Sequence, residues 1–393
     1  MADIIKEILK TLPQDKISDA CYEGANIVFY TKDSAFFLDN KGIIRNAVSE
    51  FKKRMELRPD PSICMEPEEA EKIIRSLIPE DAGVAQVLFD THRSEVIIEA
   101  DKPGIAIGKQ GETLRAIREK CLWVPLVRRT AAIKSEIVDN IRKVLFQHSD
   151  YRRKFLDQVG HRIYDGWIRD KKSEWIRLTY LGAARQVGRS CILLQTPESR
   201  VLMDCGIDAG DENNAYPYLD VPEFNIKELD AVIVSHSHVD HCAMVPYLFK
   251  FGYKGPVYCT PPTRDVMSLI MLDFVKIQRA ENKEPLYTQD EIKEMVKHTI
   301  TLDYGEVTDI TPDIRITFYD SGHILGSAMV HVHVGNGFHN LVYTADMKYG
   351  KTHLLSPANT QFPRCETLMI EATYGGKMNF FAGEKEQMAY LRK

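Results

Sequence analysis

The segment Asp230-Ala-Val-Ile-Val-Ser235-His236-Ser237-His238-Val239-Asp240-His241 constrains this chain more than any other. An apolar run of buried-strand type ends on three histidines and one aspartate within six residues. Side chains at i, i+2, i+4 and i+5 cannot share one face of a helix, so the spacing predicts a strand-to-loop-to-helix transition. A lone histidine is ordinarily a satisfied core residue, but four ligand-type side chains packed this closely point to a metal. Imidazole and carboxylate together suit zinc. A catalytic site keeps one position open for water and lowers its pKa to about 7, and two ions about 3.5–4 Å apart can stabilise both oxygens of a phosphodiester displacement.

The first third of the chain repeats itself. Residues 26–57 align with 95–126 without gaps, at an offset of 69: Asn26-Ile-Val-Phe29 with Glu95-Val-Ile-Ile98, Gly42 with Gly111, Ala47 with Ala116, Glu50 with Glu119 and Leu57 with Leu126. Each copy reads as a helix (4–12, then 67–78), two strands (17–22 and 26–31, then 84–90 and 94–100), a short turn, a longer helix (43–54, then 112–121) and a last strand. The second copy places Gly108-Lys109-Gln110-Gly111 directly before its long helix. Two glycines three apart allow a tight turn and close approach to a phosphate, and the helix N-terminus favours anions. A Walker loop fits poorly, because only three residues separate Gly104 from Gly108 and Gln110 stands where Ser or Thr is required. In the first copy the loop is Asp39-Asn40-Lys41-Gly42, its first glycine replaced by an acid.

Composition narrows the class. At 393 residues the chain has room for two or three domains. No stretch approaches the roughly 20 apolar residues of a membrane span, and the N-terminus lacks a signal peptide's pattern, so a cytoplasmic protein is expected. The eight cysteines form no C-x-x-C pair, which speaks against a zinc ribbon and for reduced, mostly buried thiols. Residues 128–189 carry 15 Lys/Arg against 7 Asp/Glu, a pattern that suits phosphates or a solvated helical face equally well.

The loop Gly108–Gly111 in its duplicated setting resembles the G-x-x-G clamp of KH domains, which holds about four nucleotides of single-stranded nucleic acid. The His236–His241 cluster resembles the H-x-H-x-D-H signature of the metallo-β-lactamase superfamily. Asp204 in Leu-Met-Asp-Cys-Gly, His323 in Ser-Gly-His-Ile-Leu-Gly-Ser and Asp346 in Tyr-Thr-Ala-Asp follow in that family's order. Leu181-Gly-Ala-Ala-Arg-Gln-Val-Gly-Arg-Ser-Cys191 and Glu371-Ala-Thr-Tyr-Gly375 are similar to the opening strand and the motif A acid of β-CASP nucleases. The whole resembles the archaeal cleavage-and-polyadenylation-specificity-factor nucleases.

That resemblance implies a fold of mixed α/β and α+β class: two type II-like KH domains (1–66, its clamp degenerate, and 67–133), a helical basic linker (134–174), an incomplete metallo-β-lactamase αββα sandwich (175–376) and the start of a β-CASP region (377–393). It implies two Zn²⁺ per complete site. His236, His238 and His323 would hold one, Asp240 and His241 the other, and Asp346 would bridge. Asp204, Asp240 and Glu371 would be the catalytic carboxylates, and Gly108, Lys109, Gln110 and Gly111 would clamp RNA. The implied activity is endonucleolytic cleavage of U-rich single-stranded RNA, optionally with 5′-to-3′ exonuclease action, in 3′-end formation and transcription termination. RNA polymerase is the implied partner. Two further histidines and a dimerisation surface belong to a C-terminal region expected beyond Lys393. The competing readings are a silent RNA-binding part that needs that region, and a thioester or lactam hydrolase. His331, His333 and His339 are expected to face solvent or neighbours.

Overall fold

The computed structural model describes residues 4–130, 135–164, 175–211, 214–373 and 375. Tyr374, the stretch 377–393 and both ends of the 134–174 segment lie outside the described residues. The chain forms two compact units, Met1–Ile168 and Arg169–Lys393.

In the first unit the repeat is realised twice. Copy one comprises α1 (Ile4–Leu9), β1 (Asp19–Glu23), β2 (Asn26–Thr31), α2 (Ser34–Leu38), α3 (Ile43–Phe51) and β3 (Met55–Pro59). Copy two comprises α4 (Pro67–Leu77), β4 (Val84–Asp90), β5 (Glu95–Ala100), α5 (Pro103–Ile107), α6 (Glu112–Cys121) and β6 (Val124–Arg129). Each sheet has three strands in sequence order, the first pair antiparallel and the second parallel. This is the arrangement of a type II KH domain.

The expected short turn before each loop is in fact a five-residue helix. Asp33 caps α2 by accepting from the amide of Phe36 at 3.0 Å, and Pro103 opens α5 at a position that needs no N–H. Helices this short carry no periodicity to read.

The stretch 135–164 is helical, as expected, in two pieces: α7 (Glu136–Gln147) and α8 (Ser149–Tyr164). α8 is docked on the first copy. Phe155, Leu156, Val159 and Ile163 are buried, and Gly160 lies where a Cβ would come within 2.0 Å of Tyr22 Cβ. Its basic residues are partly paired, Arg153 with Asp19 and Lys154 with Asp150.

The two copies share a buried charge cluster. Arg58 of β3, 1% exposed, donates to both oxygens of Glu23 at 2.9 and 3.0 Å and pairs with Glu56 and with Glu95 of the second copy. Arg93 pairs with Glu23 and Glu95.

The second unit begins with β7 (Arg177–Tyr180), β8 (Ile192–Gln195), β9 (Arg200–Met203) and β10 (Ala231–Ile233), followed by α9 (Val239–Cys242), α10 (Val245–Lys250), β11 (Val257–Cys259), α11 (Pro261–Ala280), α12 (Gln289–His298) and β12 (Thr299–Thr301). Then come β13 (Val307–Asp309), β14 (Ile314–Asp320), β15 (Ala328–Val334), β16 (His339–Tyr343) and β17 (Thr367–Met369). Strands β12-β11-β10-β9-β8-β7 form one sheet, parallel from β12 to β9, and β13 to β17 form another. The inner faces meet in one apolar core that includes Ile192, Val201, Ile233, Ile316, Val330 and Leu341. Helices α9 to α12 contact one another, and α11 also packs on β12, so helix, sheet and sheet form three layers. This is a metallo-β-lactamase fold. β10 is apolar throughout because it lies inside a parallel sheet and is buried on both faces.

Candidate metal centre and KH loop

The ligand-type residues of the second unit arise at the ends of strands. β10 stops at Ile233, and an extended segment carries His236 and His238 into the first turn of α9, which contains Asp240 and His241. Three backbone bonds fix that turn: Ser190 N to Asp240 O (2.7 Å), Cys205 N to His241 O (2.8 Å) and Ile207 N to Val239 O (3.1 Å). Gly206 lies under it so closely that a Cβ would stand 1.9 Å from the Asp240 carbonyl. His323 comes from the turn between β14 and β15, and Asp346 from the turn after β16.

These turns bring the sequence-predicted residues together in two groups: His236, His238, His323 and Asp346, and Asp240, His241 and Asp346. Within each group the ligand atoms lie within 4.8 Å of one another. His238 Nδ1 stands 3.2 Å from His236 Nε2 and 3.2 Å from His323 Nε2. Nitrogens bound about 2.0–2.1 Å from a tetrahedral ion stand roughly 3.3 Å apart, so the spacing fits zinc. Asp346 splits its oxygens between the groups. Oδ2 faces His236 (3.8 Å) and His323 (3.5 Å), while Oδ1 faces His241 (3.5 Å).

Asp204 organises the histidines from behind. It is fully buried with φ +58°, and its carboxylate accepts from the Ser235 amide (2.7 Å), Ser235 Oγ (2.8 Å), Tyr343 OH (2.8 Å) and His241 Nδ1 (2.8 Å). His236 Nδ1 lies 3.0 Å from Ser235 Oγ. Donation through both Nδ1 atoms leaves each Nε2 lone pair facing the cluster. Ser235 and Tyr343 were not singled out by sequence reasoning. Both sit beside the quoted motifs, but nothing local reveals a hydroxyl aimed 31 or 139 residues away in the chain.

Burial and the neighbouring imidazoles push the His236 pKa well below its ordinary value, which keeps that ring neutral and able to bind a cation. Burial also works against charge on His241, but Asp204 and Asp346 outweigh it and raise its pKa to about 10. The same carboxylates favour a cation at this point, and a metal would take the place of the Nε2 proton. Burial raises the Asp346 pKa, but the hydrogen bond to His241 and the neighbouring His241, His323 and His238 rings together outweigh it, so it falls.

Glu371 follows β17. Its carboxylate accepts from the Met347 amide at 3.3 Å, just past Asp346, and it lines the same cleft of about 510 Å³ as Asp240, His241 and Asp346. His331, His333 and His339 lie outside both groups. They bond to Arg364 O (2.7 Å), Asn340 Oδ1 (2.7 Å) and Thr367 Oγ1 (2.9 Å) respectively, and His331 is buried.

In the first unit the two KH loops share the backbone conformation of their last two residues and part at their first. Gly108 has φ +76° and ψ 170°, Gln110 φ +50° and Gly111 φ +76°. A Cβ on Gly108 would meet Thr113 Oγ1 at 2.5 Å. In the first copy Lys41 (+50°) and Gly42 (+78°) repeat the last two values, but Asp39 has φ −141°. Its Oδ1 accepts the Lys41 amide at 2.9 Å. A carboxylate of the chain itself thus occupies an amide that an anion could otherwise reach.

Residues 193–371 match the metallo-beta-lactamase superfamily domain, residues 1–64 the KH domain of transcription termination factor FttA, and residues 69–121 a KH domain. The chain is similar to the transcription termination factor FttA of Methanothermobacter thermautotrophicus, 48% identical over 96% of this chain and 59% of that protein. The Methanocaldococcus jannaschii protein of the same name is 47% identical over 95% and 59%, and that of Lokiarchaeum 41% over 98% and 61%. The chain therefore spans about three fifths of the length of these curated relatives. Among solved structures, a metallo-β-lactamase of Cronobacter sakazakii aligns over 42% of this chain and 60% of that one, at 18% identity and a TM-score of 0.30.

Proposed function

This chain carries two KH domains and a metallo-β-lactamase domain and is a close homologue of the archaeal transcription termination factors, and on that premise we propose that it is a zinc-dependent endoribonuclease acting on single-stranded RNA in 3′-end formation and transcription termination. The observation that carries the reading is the convergence of His236, His238, His323, Asp346, Asp240 and His241 into two groups that share Asp346, in a chain that also holds a G-x-x-G loop.

Two zinc ions held there would supply an acidic water and positive charge for the phosphoryl oxygens. The chain's own residues prepare the site. Asp204 fixes the His241 ring directly and the His236 ring through Ser235. Asp346 spans the two groups, so substrate would meet one rigid face. Glu371, held by the Met347 amide beside Asp346, adds a carboxylate to the cleft wall. The Gly108–Gly111 loop would hold RNA through backbone amides and the α6 N-terminus. U-rich preference, RNA polymerase as partner and homodimer formation belong to this proposal.

A second reading, an RNA-binding part that acts together with further chain, draws on one observation: the Asp240 group offers three donors where the His236 group offers four. One experiment separates the two. The chain is incubated with Zn²⁺ and 5′-labelled U-rich RNA beside a His238→Ala/Asp240→Ala double variant. Cleavage by the parent chain that the variant lacks supports the nuclease. Retained zinc and RNA binding without cleavage favours the second reading.

A further inference from the structure

The loop between β7 and β8, residues 181–190, forms one wall of the cleft beside Asp240, Asp346 and Glu371. Backbone and side-chain contacts hold it in place. Leu181 and Gly182 both donate to Cys191 O, and Tyr218 N donates to Leu181 O. Gly182 has no room for a side chain, since a Cβ would stand 1.9 Å from Arg189 O. Arg189 is buried, stacks 4.5 Å from the Tyr218 ring and donates to Tyr216 O and Gln186 Oε1 at 3.0 Å each.

This anchoring forces Ala183 (φ +66°) and Arg185 (φ +60°) into the left-handed region that favours glycine. Non-glycine residues persist there only where their surroundings over-determine them, and they cluster at ligand clamps. Arg185 is exposed and, among the described residues lining the cleft, is the only Lys or Arg. Three carboxylates line the same cleft, yet Arg185 pairs with none of the described residues. A guanidinium left uncommitted at an acidic, metal-binding cleft suits an oxyanion that arrives with the substrate.

Resting on the nuclease reading above, we propose that Arg185 is a positioning residue that grips a substrate phosphate neighbouring the one at the metal centre. The site then selects polynucleotides over isolated phosphodiesters, because a single diester leaves Arg185 nothing to hold.

The test compares the zinc-loaded full chain with Arg185→Ala and Arg185→Lys on a U-rich 12-nucleotide RNA and on bis(p-nitrophenyl) phosphate. For Arg185→Ala the expected result is a loss of about 10- to 100-fold in kcat/KM on RNA, carried by KM, the size of one charge-assisted contact. Diester hydrolysis stays within two-fold, and Arg185→Lys recovers part of the loss. An equal fall on both substrates, or no fall on either, overturns the assignment. If the parent chain hydrolyses neither, the nuclease reading fails for this chain and RNA binding decides. A salt slope lower by about 1 in Arg185→Ala, seen only with zinc loaded, supports the phosphate contact. An unchanged slope overturns it.

Discussion

Asp204 Oδ2 and His241 Nδ1 stand 2.8 Å apart at the back of the metal centre, and the same carboxylate reaches His236 through Ser235 Oγ. One buried anion therefore sets the orientation of a ring in each ligand group. Replacing Asp204 with Asn keeps the shape and removes the charge. Metal affinity is expected to fall about 10- to 100-fold, read by competition with a chromophoric chelator. Unchanged affinity would mean that packing alone orients both rings.

Gly206→Ala is expected to lose zinc, because its Cβ would stand 1.9 Å from the Asp240 carbonyl and push the first turn of α9 away from Asp346. Overpacking of this kind costs about 1–3 kcal/mol or more. Gly210→Ala, whose Cβ would meet only Asp208 Oδ1 at 3.4 Å, is the control and should leave metal content unchanged. Zinc per chain after gel filtration, with urea unfolding beside it, checks both.

The shared charge cluster makes the KH unit sensitive to acid. Burial alone would raise the Glu23 pKa, but Arg93 and Arg58 hold it well below the usual carboxylate range. A carboxylate so depressed contributes stability that is fully present above its ordinary value of 4.5 and is lost as pH falls below it. Glu95, raised by burial despite both arginines, works in the opposite direction. Glu23→Gln should therefore flatten the acid limb of a stability-versus-pH curve. Arg58→Met should cost about 3–5 kcal/mol at neutral pH, since it leaves Glu23 and Glu95 buried with one partner fewer.

At the KH loop, Gly108→Asp adds a charge and a Cβ that would meet Thr113. Single-stranded RNA affinity should fall about tenfold or more, as expected for losing one or more charge-assisted contacts. Asp39→Gly in the first copy should not weaken it. Fluorescence anisotropy with labelled RNA reads both, and a loss in Asp39→Gly equal to that in Gly108→Asp would show that the first loop also binds.

What could be read from the sequence was what is local and periodic. The spacing of His236 to His241 announced a strand, a loop and a short helix, and β10 and α9 follow it. β2 and β5 were legible as β-branched runs. The helices α2 and α5 were not, because five residues span barely one turn. Docking of α8 turns on the missing side chain of Gly160, which carries no pattern of its own. The charge cluster was illegible for a different reason. Glu23, Arg58, Arg93 and Glu95 look like ordinary surface residues until four strand ends and turns meet. His331 was expected to face solvent or neighbours, and it is the neighbouring segment carrying Phe362 and Arg364 that buries it.

The two KH loops are one backbone motif in two conditions. Through Asp39 the first carries its own oxyanion on the amide of Lys41; 69 residues on, Gln110 holds the same left-handed turn, and the carboxylate of Glu112 reaches instead the Lys109 amide at 3.4 Å. The duplication thus supplies its own reference complex. The position of Asp39 Oδ1, transferred onto the second copy by superposing Lys41-Gly42 on Gln110-Gly111, marks where an incoming acceptor oxygen would sit.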